Sequence, residues 1–102
     1  MKFGAWYPLS EAGDLAPAEE GVLQIRLAHG LLDYPRGKSA MVWYAHAADI
    51  KAAALAFAAQ HATEPLVCRH LVEVDADVDL AAFCAKLRAD FERRFGAVPE
   101  YE

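Results

Sequence analysis

Between Tyr34 and Ala47 the chain reads YPRGKSAMVWYAHA, and the tripeptide Gly37-Lys38-Ser39 inside it has the ending of a phosphate-binding loop. Such a loop needs a second glycine five residues ahead, a strand before it and a helix behind it, because backbone N–H groups and the helix N-terminus cradle the phosphates. Leu32 stands at the glycine position, and the apolar run from Ala40 has the character of a strand. Both requirements fail. The stretch reads instead as a solvated turn, bent by Pro35 and Gly37 and kept wet by Arg36 and Lys38.

The other residues with chemical potential are four histidines, two cysteines and a few cations. His29, His46, His61 and His70 form no His-x-x-x-His pair and no Cys/His quartet of zinc spacing. His46 and His70 would approach one another if their strands paired. Cys68 and His70 lie two apart, on one face of a strand, where an imidazolium could stabilise a thiolate. No third group that would orient the pair is legible, so Cys68 reads as a core residue. Arg26, Arg36, Lys38 and Arg69 could gather on one side of a sheet with Trp43 and Tyr44, the mixture of cations and aromatics that serves nucleic-acid binding. A formal charge of −5 opposes a polyphosphate partner.

These residues must be positioned by one small domain. The chain has 102 residues, 56% of them apolar, too many for a disordered polymer. No apolar window is long enough to cross a membrane. Met1 to Ala5 has no apolar segment behind its lysine and does not read as a secretory leader. Two cysteines without Cys-x-x-Cys spacing suit a reducing, cytoplasmic setting.

Residues 1–20 lack periodicity and read as an arm, docked by Trp6 and Tyr7, ahead of a single α+β domain over 21–102. Leu23, Ile25 and Leu27 alternate with Gln24 and Arg26, which predicts a strand over 21–27. Residues 40–46 are apolar on both faces, so they read as a central strand. Asp49 offers an N-cap to a helix over 50–62 with Ile50, Ala54, Phe57, Ala58 and His61 on one face. A third strand follows over 66–74. Asp79 caps a last helix over 80–95, whose buried stripe is Leu80, Phe83, Cys84, Leu87, Phe91 and Phe95. Lys86 with Asp90 and Arg88 with Glu92 have the spacing of helical ion pairs, and Gly96 suits the position just past the helix end. The expected architecture is a small antiparallel sheet of about three strands covered by two helices, in the order β-β-α-β-α.

The segments LAPAEEGVLQI (Leu15 to Ile25) and MVWYAHAADIKAAALAF (Met41 to Phe57) resemble the start of a GIY-YIG nuclease domain. In that family a Pro-x-x-x-Gly approach leads into a Gly-Ile-Tyr strand. A Tyr-Ile-Gly strand follows, then a helix that carries the catalytic arginine, a third strand and a further helix. The resemblance puts Leu23 at the first tyrosine and Trp43 at the second, or Tyr44 after a one-residue shift. It puts Ala53 at the arginine. The family's metal-binding glutamate has Glu92 or Glu73 as its only candidates. Phosphodiester hydrolysis needs an activated water, a divalent cation and a positive charge at the scissile phosphate. Leucine at 23 supplies no hydroxyl and alanine at 53 no charge, and Lys51 lies about 200° around the helix from Ala53.

The resemblance therefore implies a GIY-YIG-like module that has lost its chemistry, needs no cofactor and serves as a protein interaction or regulatory domain, through a protein partner or self-association. The alternative is a divergent endonuclease or nucleic-acid binder. It would hold phosphate with Arg26, Arg36, Lys38 and Arg69, and a nuclease would also place Mg²⁺ on Glu73 or Glu92.

Overall fold

The computed structural model describes residues 1–61 and 63–99. Strands β1 (Lys2–Phe3) and β2 (Tyr7–Pro8) open the chain, followed by a 3₁₀ turn (Leu9–Glu11) and α1 (Ala12–Leu15). Then come β3 (Gly21–Leu27), β4 (Leu32–Tyr34), β5 (Gly37–Ser39), β6 (Met41–Ala47), α2 (Ile50–Gln60), β7 (Leu66–Glu73) and α3 (Leu80–Phe95). The fold is α+β. Its main sheet is antiparallel and has five strands: β3 is flanked by β6 and β7, and β1 and β2 both pair with the far side of β7. β4 and β5 form a separate hairpin.

The expectation of about three strands and two helices falls short because residues 1–20 join the body. Leu9, Ala12 and Ala16 are buried in the same core as Leu23, Ile25 and Ile50. Two-residue strands and a four-residue helix are too short to show a periodicity; they persist because β7 and α2 supply partners.

β3 is the central strand, and its first five residues are all buried. β6, expected to be central, is an edge strand. Its apolar character on both faces arises because the helices lie above and below it. Trp43 stacks on Phe57 of α2 (centroids 4.9 Å, 19° between planes), while Tyr44 meets Phe91 of α3 edge-on. Ile25 faces Trp43 and Arg26 faces Met41, so Val42 is an extra residue and makes a bulge.

α2 and α3 begin at their aspartate caps, and α3 ends at its glycine. Asp49 and Asp79 accept from the N–H groups of Ala52 and Ala82, and Gly96 closes α3 with φ 86°. α2 ends at Gln60 with His61 as its C-cap; Ala62 lies outside the described residues. Ala54 is fully buried. Of the expected ion pairs on α3, Asp90 pairs with Arg93 instead of Lys86, and Arg88 donates to the Tyr44 carbonyl (3.0 Å). A satisfied strand-edge acceptor holds Arg88 better than a solvated carboxylate would.

Candidate functional site

The turn around Gly37-Lys38-Ser39 is the second arm of the β4–β5 hairpin, where Tyr34 pairs with Gly37 and Asp33 with Lys38. Lys38 is neutralised by Asp33 (3.6 Å), and Arg36 donates to the Glu92 carbonyl (3.3 Å). Tyr34 rests edge-on against Phe91 (5.0 Å), which fastens the hairpin to α3. Arg36 and Lys38 make these contacts at the hairpin, whereas Arg26 and Arg69 stand on β3 and β7. Trp43 points to the α2 face with Ile25, away from Arg26 and Arg69.

The histidines are dispersed. β3 runs between β6 and β7, so His46 and His70 never pair. His46 Nε2 meets Glu20 Oε2 at 2.7 Å on the surface. His70 Nδ1 lies 2.9 Å from the Tyr7 hydroxyl, with Cys68 fully buried one strand step away on the same face. Burial pushes the Cys68 thiol up to about 11 and raises Tyr7, whose ionised form the Cys68 charge would also oppose. Burial lowers His70, and Glu19 acts in the opposite sense. Near neutral pH the trio holds a thiol, a phenol and an uncharged imidazole, so it packs and offers no nucleophile. Tyr7 has no signal in the sequence as a member of this trio, because the arm reads as irregular. Among the described residues no group of three or more His, Cys, Asp or Glu is placed to hold a metal ion. Glu73 lies opposite Lys2 near the end of β7, and Glu92 sits on the exposed side of α3.

Arg26 and Arg69 do come together. Gln24 faces Arg69 and Arg26 faces Val67, which makes the arginines diagonal neighbours on one face of adjacent strands. The arm supplies the third member. Gly4 bonds to the His70 carbonyl (2.9 Å) and Tyr7 lies opposite Cys68, so Ala5 and Trp6 oppose the single residue Arg69. That bulge turns Trp6 over the sheet. The Arg26 guanidinium lies 4.0 Å from the Trp6 ring centroid. Arg69 lies 4.6 Å from Trp6 and 4.7 Å from Phe3. Arg69 Nε donates to Gln24 Oε1 (2.6 Å), and Gln24 is itself buried. Gly4 lets the arm lie close to β7: a Cβ would stand 2.9 Å from a methyl of Val72, which would have to shift.

No carboxylate among the described residues lies at ion-pair distance from Arg26 or Arg69. Burial, and then the charge of Arg26, draw Arg69 below its ordinary range, with Tyr44 acting in the opposite sense. The guanidinium nevertheless remains charged at any physiological pH. The cluster presents two half-buried cations with fixed planes, held by an aromatic ring and an amide. Such an arrangement can receive an oxyanion in bidentate fashion. A concavity of about 480 Å³ lies elsewhere, between the 3₁₀ turn, the end of α2 and the start of β7, with Leu9, Ala58, Pro65 and Leu66 among its walls.

No family model, no curated protein and no solved structure matches this chain.

Proposed function

We propose that the chain is a GIY-YIG-like module without nuclease chemistry, acting as a protein interaction or regulatory domain. The observation that carries the reading is the state of the motif-equivalent positions. Leu23 is fully buried against the α2 side, where it offers neither a hydroxyl nor access to water. Ala53 brings no charge to α2, and Trp43 is stacked on Phe57. The succession of two antiparallel strands, a helix, a third antiparallel strand and a last helix supports the family reading.

Two of the groups that a displaced active site would need, Arg69 and Glu73, are separated by roughly 13 Å along one strand. Glu92 lies on α3, where its backbone carbonyl and not its carboxylate meets Arg36. What remains for function is a surface, and Arg26, Arg69 and Trp6 form its most distinctive part.

Single-stranded, duplex and branched DNA, incubated with the purified chain and Mg²⁺ or Mn²⁺, should stay intact. Cleavage that disappears in the double variant Arg69→Ala/Glu73→Ala would overturn the reading in favour of a nuclease with displaced residues. Sedimentation of the same preparation tests self-association, with a monomer assigning the partner to another protein.

A further inference from the structure

We infer that Arg26 and Arg69, held against Trp6, form the anchoring site for an oxyanionic side chain of a protein partner, a carboxylate or a phosphorylated hydroxyl in an extended acidic segment. This rests on the reading of the chain as a binding module and names the chemistry of the partner.

The first ground is electrostatic. The chain carries 15 acidic residues against 10 Lys and Arg. Among the described residues the Lys and Arg side chains with a carboxylate at ion-pair distance are Lys38 and Arg93, and what sets Arg26 and Arg69 apart is that two cations without one share a single ring. Placing two guanidiniums over one ring, without an acid, costs mutual repulsion and desolvation. A structural role for either one alone does not account for that cost.

The second ground is orientation. Arg69 is fixed at Nε by the buried Gln24 amide, and its plane is set by Trp6 and Phe3. Among the described residues the terminal nitrogens of Arg69 have no hydrogen-bond partner, and the contact that holds Arg26 is the Trp6 ring. Two oriented guanidiniums with free terminal donors match the oxygens of one carboxylate or phosphoryl group.

The third ground is the limit of the charge. Among the described residues two cations, Arg26 and Arg69, share the Trp6 ring, whereas Arg36 and Lys38 make their contacts at the hairpin. A nucleic-acid backbone would need a track of cations along successive phosphates, and the remaining charge of the chain opposes one. A single anionic side chain is matched by two arginines. Trp6 and Phe3 add apolar surface for the residues on either side of it.

The test uses the full chain and NMR of its arginine Nε–H and Trp6 indole N–H groups. The probes are a glycine-serine peptide carrying one glutamate, the same peptide with phosphoserine in its place, the same peptide with glutamine, and an oligothymidylate. Both acidic peptides should shift Arg26, Arg69 and Trp6 together in a saturable way, the phosphoserine peptide more tightly, and the glutamine peptide should not. Arg26→Gln and Arg69→Gln should each weaken binding by about tenfold, Arg26→Lys by a smaller factor, and Arg36→Gln not at all. An unchanged backbone spectrum in each variant separates lost contacts from lost folding.

Three results would overturn the inference. One is the absence of shifts at the arginines with either acidic peptide; another is equal weakening by Arg36→Gln. The third is tighter binding of oligothymidylate than of the phosphoserine peptide at physiological salt, which would assign the surface to nucleic acid. Any of these with DNA left uncut removes the anchoring site and leaves the non-catalytic reading standing. DNA cleavage that depends on Arg69 and Glu73 removes that reading itself.

Discussion

On the α2 side of the sheet, Leu23, Ile25, Val42 and Cys68 have no exposed surface at all, and even the polar groups there, Tyr7 and His70, satisfy one another. On the α3 side the same strands present Val22 and Leu71 to the helix, but also Gln24, Arg26 and Arg69. Neighbouring residues of one strand thus face a sealed core and a partly open polar surface. What differs is the cover. α2 is rich in alanine and approaches closely, and the 3₁₀ turn and α1 close the rest of that face. α3 lies over β6 and β3 and reaches Leu71 of β7 with Leu80 and Cys84, and Trp6 and Phe3 of the arm lie over Arg69. A sheet covered unequally can devote one face to stability and keep charged groups on the other.

The contrast is open to direct measurement, and the largest effect belongs to the sealed face. Leu23→Ala should destabilise by about 2–5 kcal/mol in urea unfolding, through lost burial and the cavity left behind. Arg26→Gln, three residues along the same strand but on the open face, should change stability by less than about 1 kcal/mol, since no ion pair is lost and repulsion of Arg69 is relieved. Equal losses from the two substitutions would break the distinction between the faces.

A smaller effect tests how tightly α2 closes. Ala54→Leu should cost about 1–3 kcal/mol by overpacking, because Ala54 is fully buried. Ala56→Leu, on the exposed side of α2, should stay within about 0.5 kcal/mol of the parent. Thermal midpoints of the two variants, measured together, sharpen the comparison.

The smallest effect is a dependence on pH. The folded Cys68 thiol is pushed up to about 11 from an ordinary 9, so between these values the folded chain holds a proton that the unfolded chain has lost. Its contribution is fully present below about pH 9 and declines as pH rises toward 11. Tyr7, also raised by burial, acts in the same direction. His70 is lowered, so its contribution is present above about pH 6.5 and is lost as pH falls below that value. Urea midpoints should therefore decline from about pH 9 to about pH 11, with a shallower slope in Cys68→Ala. An unchanged slope would mean that the sealed face does not hold Cys68 as a neutral thiol.

The elements that carry their own signals were legible in the sequence. The alternation of Leu23, Ile25 and Leu27 with Gln24 and Arg26 marks β3, and the aspartate caps and alanine-rich face define α2 and the start of α3. Gly96 marks the end of α3, because only a residue at ease with positive φ ends a helix in that way. The failure of Gly37-Lys38-Ser39 as a phosphate loop was legible too, since it depends on near neighbours in the chain. So was the absence of a hydroxyl at position 23 and of a charge at 53.

Tertiary structure alone decided where the arm goes and which cations meet. β1 and β2 are too short to carry a pattern; they exist because β7, far away in sequence, offers an open edge. The bulge opposite Arg69 then turns Trp6 onto two arginines that belong to different strands. Arg36 and Lys38 share their charge but sit on a hairpin docked to α3. β6 could not be told from a central strand for a related reason. Apolar residues on both faces report cover above and below, whereas position in a sheet depends on which strands lie beside it. Local propensity and spacing fix how a segment folds; which segments become neighbours is set by the burial of the whole chain at once.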